Sequence, residues 1–269
     1  MLGAGVWAAS EPAMKPAQSM TAAVIVALGS LAWSGQEKPR TPTLGAEEIL
    51  EKSVAAVGGR EAYARLASTF ARGAIEFIGQ HLHGAIELYA KAPNKRLLIT
   101  DLEHVGRMRQ GFDGKVAWIE DPVEGLRRLE GRDLERVRLE AEFHRALKWR
   151  ELYRAIEPAG EDQVDGRRAY VLRLTPKGGK PALHYYDAET FLLVRQDLVQ
   201  DTTQGPLPVR AFFSDYREVG GIKTPFRIEQ ELPAGRIVIQ FHEIRNNIAL
   251  DDAIFRMPEE RQTAPSVKP

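Results

Sequence analysis

The sequence predicts a mainly β, α+β fold: a large curved antiparallel sheet forming an unclosed β-barrel with covering helices. Three observations predict it. Apolar and polar residues alternate over many short segments from Thr69 onward, almost every pair of these segments is joined by a turn signal, and helical periodicity is confined to the front of the chain and to one stretch in its middle. Roughly eleven or twelve strands at hairpin spacing, with no strand–helix–strand alternation, favour a sheet curled around helices over a parallel one.

Residues 1–35 differ from the rest. They carry one acid, Glu11, and one base, Lys15, and they end in an apolar run from Met20 to Trp33. A base ahead of such a run is the layout of a secretory signal peptide, and the run is too short for a stable membrane span. Cleavage is expected near Ala32 or Ser34, leaving a linker (36–44), one folded domain (45–258) and a polar tail (259–269), in a periplasmic location. The domain opens with Ile49, Leu50, Val54 and Val57 at helical spacing, stopped by Gly58-Gly59, and a short second helix from Glu61 to Leu66.

From Thr69 the period is two. In the first block strands are predicted over Phe70–Phe77, around Ile86, Leu88 and Ala90, and over Arg96–Asp101, Arg107–Gly111, Lys115–Glu120 and Leu126–Glu130. Ala92-Pro93-Asn94, Asp113-Gly114 and Asp121-Pro122 act as turns between them. A charged helix follows from Arg132 to about Leu147, with Leu134, Val137 and Ala141 on its apolar stripe. The second block places strands over Arg168–Leu174, Ala182–Tyr186, Phe191–Val199, Val209–Tyr216, Phe226–Leu232 and Arg236–Ile244, separated by Gly- and Pro-containing turns.

Composition removes several function classes. The chain has 37 basic and 37 acidic residues and no cysteine. It therefore has no electrostatic footprint for nucleic acid, and no disulfide, thiol nucleophile, thiolate metal site or lipid-modified cysteine. Removing Glu11 and Lys15 with the export segment leaves the domain itself at zero net charge. No Gly-rich phosphate loop follows a strand, so no nucleotide cofactor is expected, and no other cofactor is predicted.

The inward faces of the strands are the candidate binding surface. Tyr170/Leu172/Leu174, Val209/Ala211/Phe213, Phe226/Ile228/Leu232 and Ile237/Ile239/Phe241 share faces by alternation, while Arg227, Glu229 and Glu231 point to solvent. Either they fill a core, or they line a hydrophobic cavity that takes a lipid-like ligand. For the second case the candidate ligand-binding residues are Ile86, Leu88 and Trp118 in the first block. In the second block they are Leu172, Leu174, Phe213, Phe226, Ile228, Ile237, Ile239 and Phe241. Trp118 could line that cavity, but a strand tryptophan beside an Asp-Gly turn is more often a core residue.

Three segments carry a resemblance: Glu87-Leu-Tyr-Ala-Lys-Ala-Pro-Asn-Lys95, Phe112-Asp-Gly-Lys-Val-Ala-Trp-Ile-Glu-Asp-Pro122 and Asn247-Ile-Ala-Leu-Asp-Asp-Ala-Ile-Phe-Arg-Met-Pro258. In this order they resemble the LolA/LolB-like periplasmic lipoprotein carrier superfamily. The stretch Gly205–Phe226 is similar to the form found in outer-membrane lipoprotein-sorting proteins. The resemblance covers about residues 45–258. It implies an unclosed barrel with a helical lid over an apolar cavity that binds acyl chains. It also implies a lid-latching arginine just before the Pro-Asn turn, a position that holds Ala92 here. Lys91 beside it faces the other side of a strand and cannot replace the latch, so a generic lipid or acyl-chain carrier or sensor fits better than a dedicated lipoprotein chaperone.

The expected function is thus periplasmic transport or sensing of a lipid, acyl chain or acylated protein by a monomer, without catalysis. Envelope donor and acceptor proteins are the implied partners. The alternative is a non-catalytic structural or interaction domain of an envelope or exported-protease assembly. An enzyme would require His184, Asp215 or Glu243 to converge in the cavity, and a metal site would require His81, His83 and Glu87 to cluster with Lys91 nearby. No Gly-x-Ser-x-Gly motif is present, and neither a catalytic nor a metal site is predicted.

Overall fold

The computed structural model describes residues 44–202 and 205–259. The predicted signal peptide, the linker up to Thr43 and the tail from Glu260 lie outside the described residues. Helix α1 (Ala46–Ala56) buries the predicted stripe of Ile49, Leu50 and Val54, and α2 (Gly59–Ala64) follows after a sharp bend. Gly58 permits that bend. Its φ is +125°, and a Cβ there would lie 2.2 Å from the carbonyl oxygen of Gly221, so no other residue fits.

Six strands follow: β1 (Ser68–Ile78), β2 (Leu82–Lys91), β3 (Lys95–Leu102), β4 (Gly106–Phe112), β5 (Ala117–Asp121) and β6 (Gly125–Leu129). Helices α3 (Gly131–Ala141) and α4 (Trp149–Leu152) then cross to β7 (Tyr153–Val164), β8 (Arg167–Pro176), β9 (Ala182–Asp187) and β10 (Leu193–Thr202). The chain continues through β11 (Gly205–Val219), β12 (Ile222–Leu232) and β13 (Gly235–Asn246), and a 3₁₀ turn at Asp252–Phe255 closes the described residues. All thirteen strands among the described residues belong to one antiparallel sheet, ordered β6-β5-β4-β3-β2-β1-β13-β12-β11-β10-β9-β8-β7. The sheet is not closed into a barrel.

Two expectations need correction. No strand was predicted over Tyr153–Val164, yet β7 is there, at one edge of the sheet. Its pairing with β8 shifts register at Tyr153/Ala155 and again at Pro158/Gly160, so it has no clean two-residue alternation to read. The single helix expected from Arg132 to Leu147 is also interrupted. Glu142 is extended, α3 stops at Ala141, and Leu147 packs with Val57, Tyr63 and Ile222 rather than on the α3 stripe.

Each paired row of residues shares one face. The inner face carries the main apolar core, in which Ala71, Leu88, Leu98, Leu172, Ile228 and Ile239 pack with Ile49 and Leu50 of α1 and with Trp149 of α4. Next to it, Val137 and Ala141 of α3 cover Phe112 and Ala117. A bulge at Arg72/Gly73 bends the seam between β1 and β13. Gly73 sits at that bulge because a Cβ would be 2.2 Å from the Gln240 carbonyl oxygen.

Candidate functional site

The inner face under α1 and the α3–α4 connection gathers nearly all the predicted binding residues. Ile86 and Leu88 of β2, Leu172 and Leu174 of β8, and Phe213 of β11 are buried there in one cluster. Phe226 and Ile228 of β12 and Ile237, Ile239 and Phe241 of β13 complete it. Trp118 is the exception. It pairs with Gly111 and, through Leu97 and Tyr89, lies on the outer face, where it packs with Leu97 and Phe255. Its indole lies across Gly111, where a Cβ would be 2.2 Å from the ring, and its Nε1 donates to the Phe255 carbonyl oxygen at 2.9 Å. It therefore anchors the 3₁₀ turn and does not face the interior.

Two cavities lie beneath the helices, one of about 40 Å³ between α1, α4 and β8–β10, and one of about 60 Å³ between α2, the end of α3 and β2–β3. Typical ligand pockets are roughly 300–1,000 Å³. Neither of these two cavities, as it stands, has room for a long acyl chain.

A polar row crosses the apolar floor, and sequence reasoning gave it no role. His184, Gln196, Ala211 and Gln230 are successive partners across β9, β10, β11 and β12. All of them are buried. His184 is held neutral, its pKa pulled down to about 3 chiefly by burial and secondarily by the Arg145 guanidinium. The neutral ring accepts from the Gln196 amide at Nε2 (3.1 Å), leaving Nδ1 to donate toward the Tyr186 hydroxyl (3.4 Å). Burial also raises the pKa of Tyr186, so this hydroxyl stays protonated.

Around the second cavity, Arg96 projects inward from β3, 3.6 Å from Glu140 of α3 and 3.2 Å from the Gln110 side-chain oxygen. Burial lowers its pKa and the Glu140 charge opposes that shift. This pair is the charged link between sheet and helix. Ala92, by contrast, only donates its backbone N–H to Ala67, and Lys91 turns to the outer face, where it binds Asp252 and the Leu250 carbonyl oxygen. Asp252 is pulled to a pKa of about 2 by Lys91 and Lys95.

The residues an enzyme or metal site would need are dispersed. His184 is interior, Asp215 is exposed and paired with Arg217, and Glu243 pairs with Arg72. His83 pairs with Glu103, Glu87 accepts from Tyr89, and Lys91 is held by Asp252. Among the described residues no group of three His, Asp or Glu side chains is placed to hold a metal.

No protein-family model matches the chain, and no curated protein is recognisably similar to it in sequence. Solved structures are similar in fold. A DUF1329 family protein from Desulfovibrio piger superposes with a TM-score of 0.57 at 20% identity, covering 80% of this chain and 98% of that one. A LolA superfamily protein from Nitrosomonas europaea gives 0.54 at 17% identity, again over 80% of this chain and 98% of that one. The fold is LolA-like. A domain described as an outer-membrane lipoprotein-sorting protein from Vibrio parahaemolyticus gives 0.54 at 13% identity, over 78% of this chain and 95% of that one. The LolA-like architecture thus extends over nearly the whole length of each of these chains, with the helices of this protein lying on the face that carries its core.

Proposed function

We propose that this protein is a periplasmic carrier or sensor that binds a lipid, an acyl chain or a lipoprotein on the inner face of its sheet, without catalysis. The observation that carries the reading is the apolar floor running across the sheet from β2 through β13 to β8, covered only by short helices that pack on it through a few apolar side chains and whose ion pairs to each other are exposed. Arg150 of α4 reaches Glu47 and Glu51 of α1 at 2.9 and 3.2 Å, and all three side chains are solvent-accessible, so these bonds are easily exchanged for water. Lifting the helices would expose an apolar face to which an acyl chain contributes about 0.8 kcal/mol per buried methylene, enough for a long chain to offset its ordering cost. The fold likeness to proteins named for lipoprotein sorting supports the same class of cargo. The N-terminal export layout supports the location.

The test is to purify the protein from a Gram-negative envelope fraction, extract it with organic solvent and analyse the extract by mass spectrometry, alongside displacement of a fluorescent fatty acid. Co-purifying lipid or saturable displacement is expected, and the absence of both would sink the reading. A second reading, an interaction domain of an envelope or exported-protease assembly, is favoured by the small volume of the two cavities. It predicts no lipid and a stable complex with an envelope partner.

A further inference from the structure

The smaller cavity differs in chemistry from the apolar floor around it. It is lined by Trp149, Arg145, His184, Gln196 and Tyr186, against Leu50 and Val54 of α1. Trp149 is 3% exposed and its indole Nε1 has no hydrogen-bond partner, which leaves a buried donor unsatisfied. Arg145 is only half-buried, yet its charge acts on four wholly buried groups, His184, Tyr186, Tyr63 and Arg96. Its guanidinium pairs with no carboxylate of the described residues. The acids nearest in sequence are committed elsewhere, Glu140 to Arg96 and Arg136, and Glu142 to Lys148. An unpaired cation and an orphaned N–H donor at one cavity make an anion-receptive pocket. Its size, about 40 Å³, suits a group equivalent to a few water molecules and not a hydrocarbon tail.

We infer that this pocket recognises the carboxylate of a single-chain amphiphile, with Arg145 and Trp149 donating to its oxygens while the chain lies along the inner face. The guanidinium fork matches a carboxylate geometrically, and His184, being neutral, adds no competing charge. The inference rests on the carrier reading and narrows its cargo from any lipid to one with an anionic head.

Equilibrium dialysis of the purified protein with labelled palmitate and, separately, hexadecanol tests it, both below their aggregation limits. Palmitate should bind about tenfold or more tightly than the alcohol, the size of a charge-assisted hydrogen bond. Arg145→Gln should erase that preference, and Trp149→Phe, which keeps the ring but removes the donor, should reduce it. Circular dichroism verifies that each variant is folded, and Trp149→Phe serves if Arg145→Gln is not. Equal binding of acid and alcohol, or a preference that survives both substitutions, would overturn the head-group inference and leave the carrier reading standing. Binding of neither compound would overturn both.

Discussion

Among the buried polar residues, His184 is placed so that acid acts on the fold through it. Its neighbours are an amide, a hydroxyl and, at longer range, the Arg145 cation, so nothing near it rewards protonation. Its folded pKa of about 3 lies below the ordinary value of 6.5. The unfolded chain therefore binds more protons than the folded one between those two values, and stability falls as pH drops through that window. Between pH 7 and pH 5 the loss should be about 2 kcal/mol from this residue alone, a range in which the carboxylates are still ionised. Urea unfolding at the two pH values should show the loss in the native protein and its near-disappearance in His184→Gln. An equal loss in the variant would contradict the assignment. The role of His184 was not legible in the sequence, because an isolated histidine on an alternating strand reads the same whether its neighbours across the sheet are charged or amide. Arg145 and Trp149 escaped for a related reason: Arg145 sits in the irregular stretch between α3 and α4, and Trp149 opens a four-residue helix too short to show a period that indicates which way a side chain points.

At the scale of elements, the closing 3₁₀ turn illustrates how differently two neighbouring contacts contribute. Phe255 is fully buried against Trp118 and Leu97, whereas Asp252 makes its ion pairs to Lys91 and Lys95 at the surface. Phe255→Ala should cost about 3–5 kcal/mol, the usual range for a buried phenylalanine. Asp252→Asn should leave the urea midpoint at pH 7 almost where it was, because exposed pairs are screened by water. If the two substitutions proved equally damaging, the turn would be held by charge and not by packing. This closing segment was legible as an acidic-acidic-x-x-Phe motif, and most strands were legible from the turns between them. Asp113-Gly114, Asp165-Gly166 and Gly220-Gly221 each fall at a real hairpin, and Gly114, Asp165, Gly166, Gly220 and Gly221 all have positive φ. The element that escaped, β7, is an edge strand with Pro158 and two register shifts, features that blunt an edge against pairing and also erase the alternation that marks a strand. Trp118 was placed on the correct strand, but which face it takes depends on register with β4, which its own segment does not state.

For the whole molecule, the proposed carrier function with a long-chain cargo requires a bound state that is a different arrangement of the same parts, because the two cavities are small. The sheet's hydrogen-bonded ladder is continuous, so the short helices are the parts free to move. Saturation with a long-chain fatty acid should therefore accelerate amide exchange in α1 and leave β1, β12, β13 and α4, whose Trp149 holds the head group, protected. An unchanged exchange pattern at saturation would rule out a lid that lifts. The strand order also has a bearing on how the chain reaches this state. Each neighbouring pair in the sheet is consecutive in sequence except one, β1 with β13, which joins Thr69 to Asn246 and Ile78 to Arg236. Hairpins can thus form one after another as the polypeptide is made, but the two meanders become a single sheet only when the final strand arrives. Until then neither half has its shared core, so the pairing with the longest sequence separation comes last and joins two meanders that are each built from local hairpins.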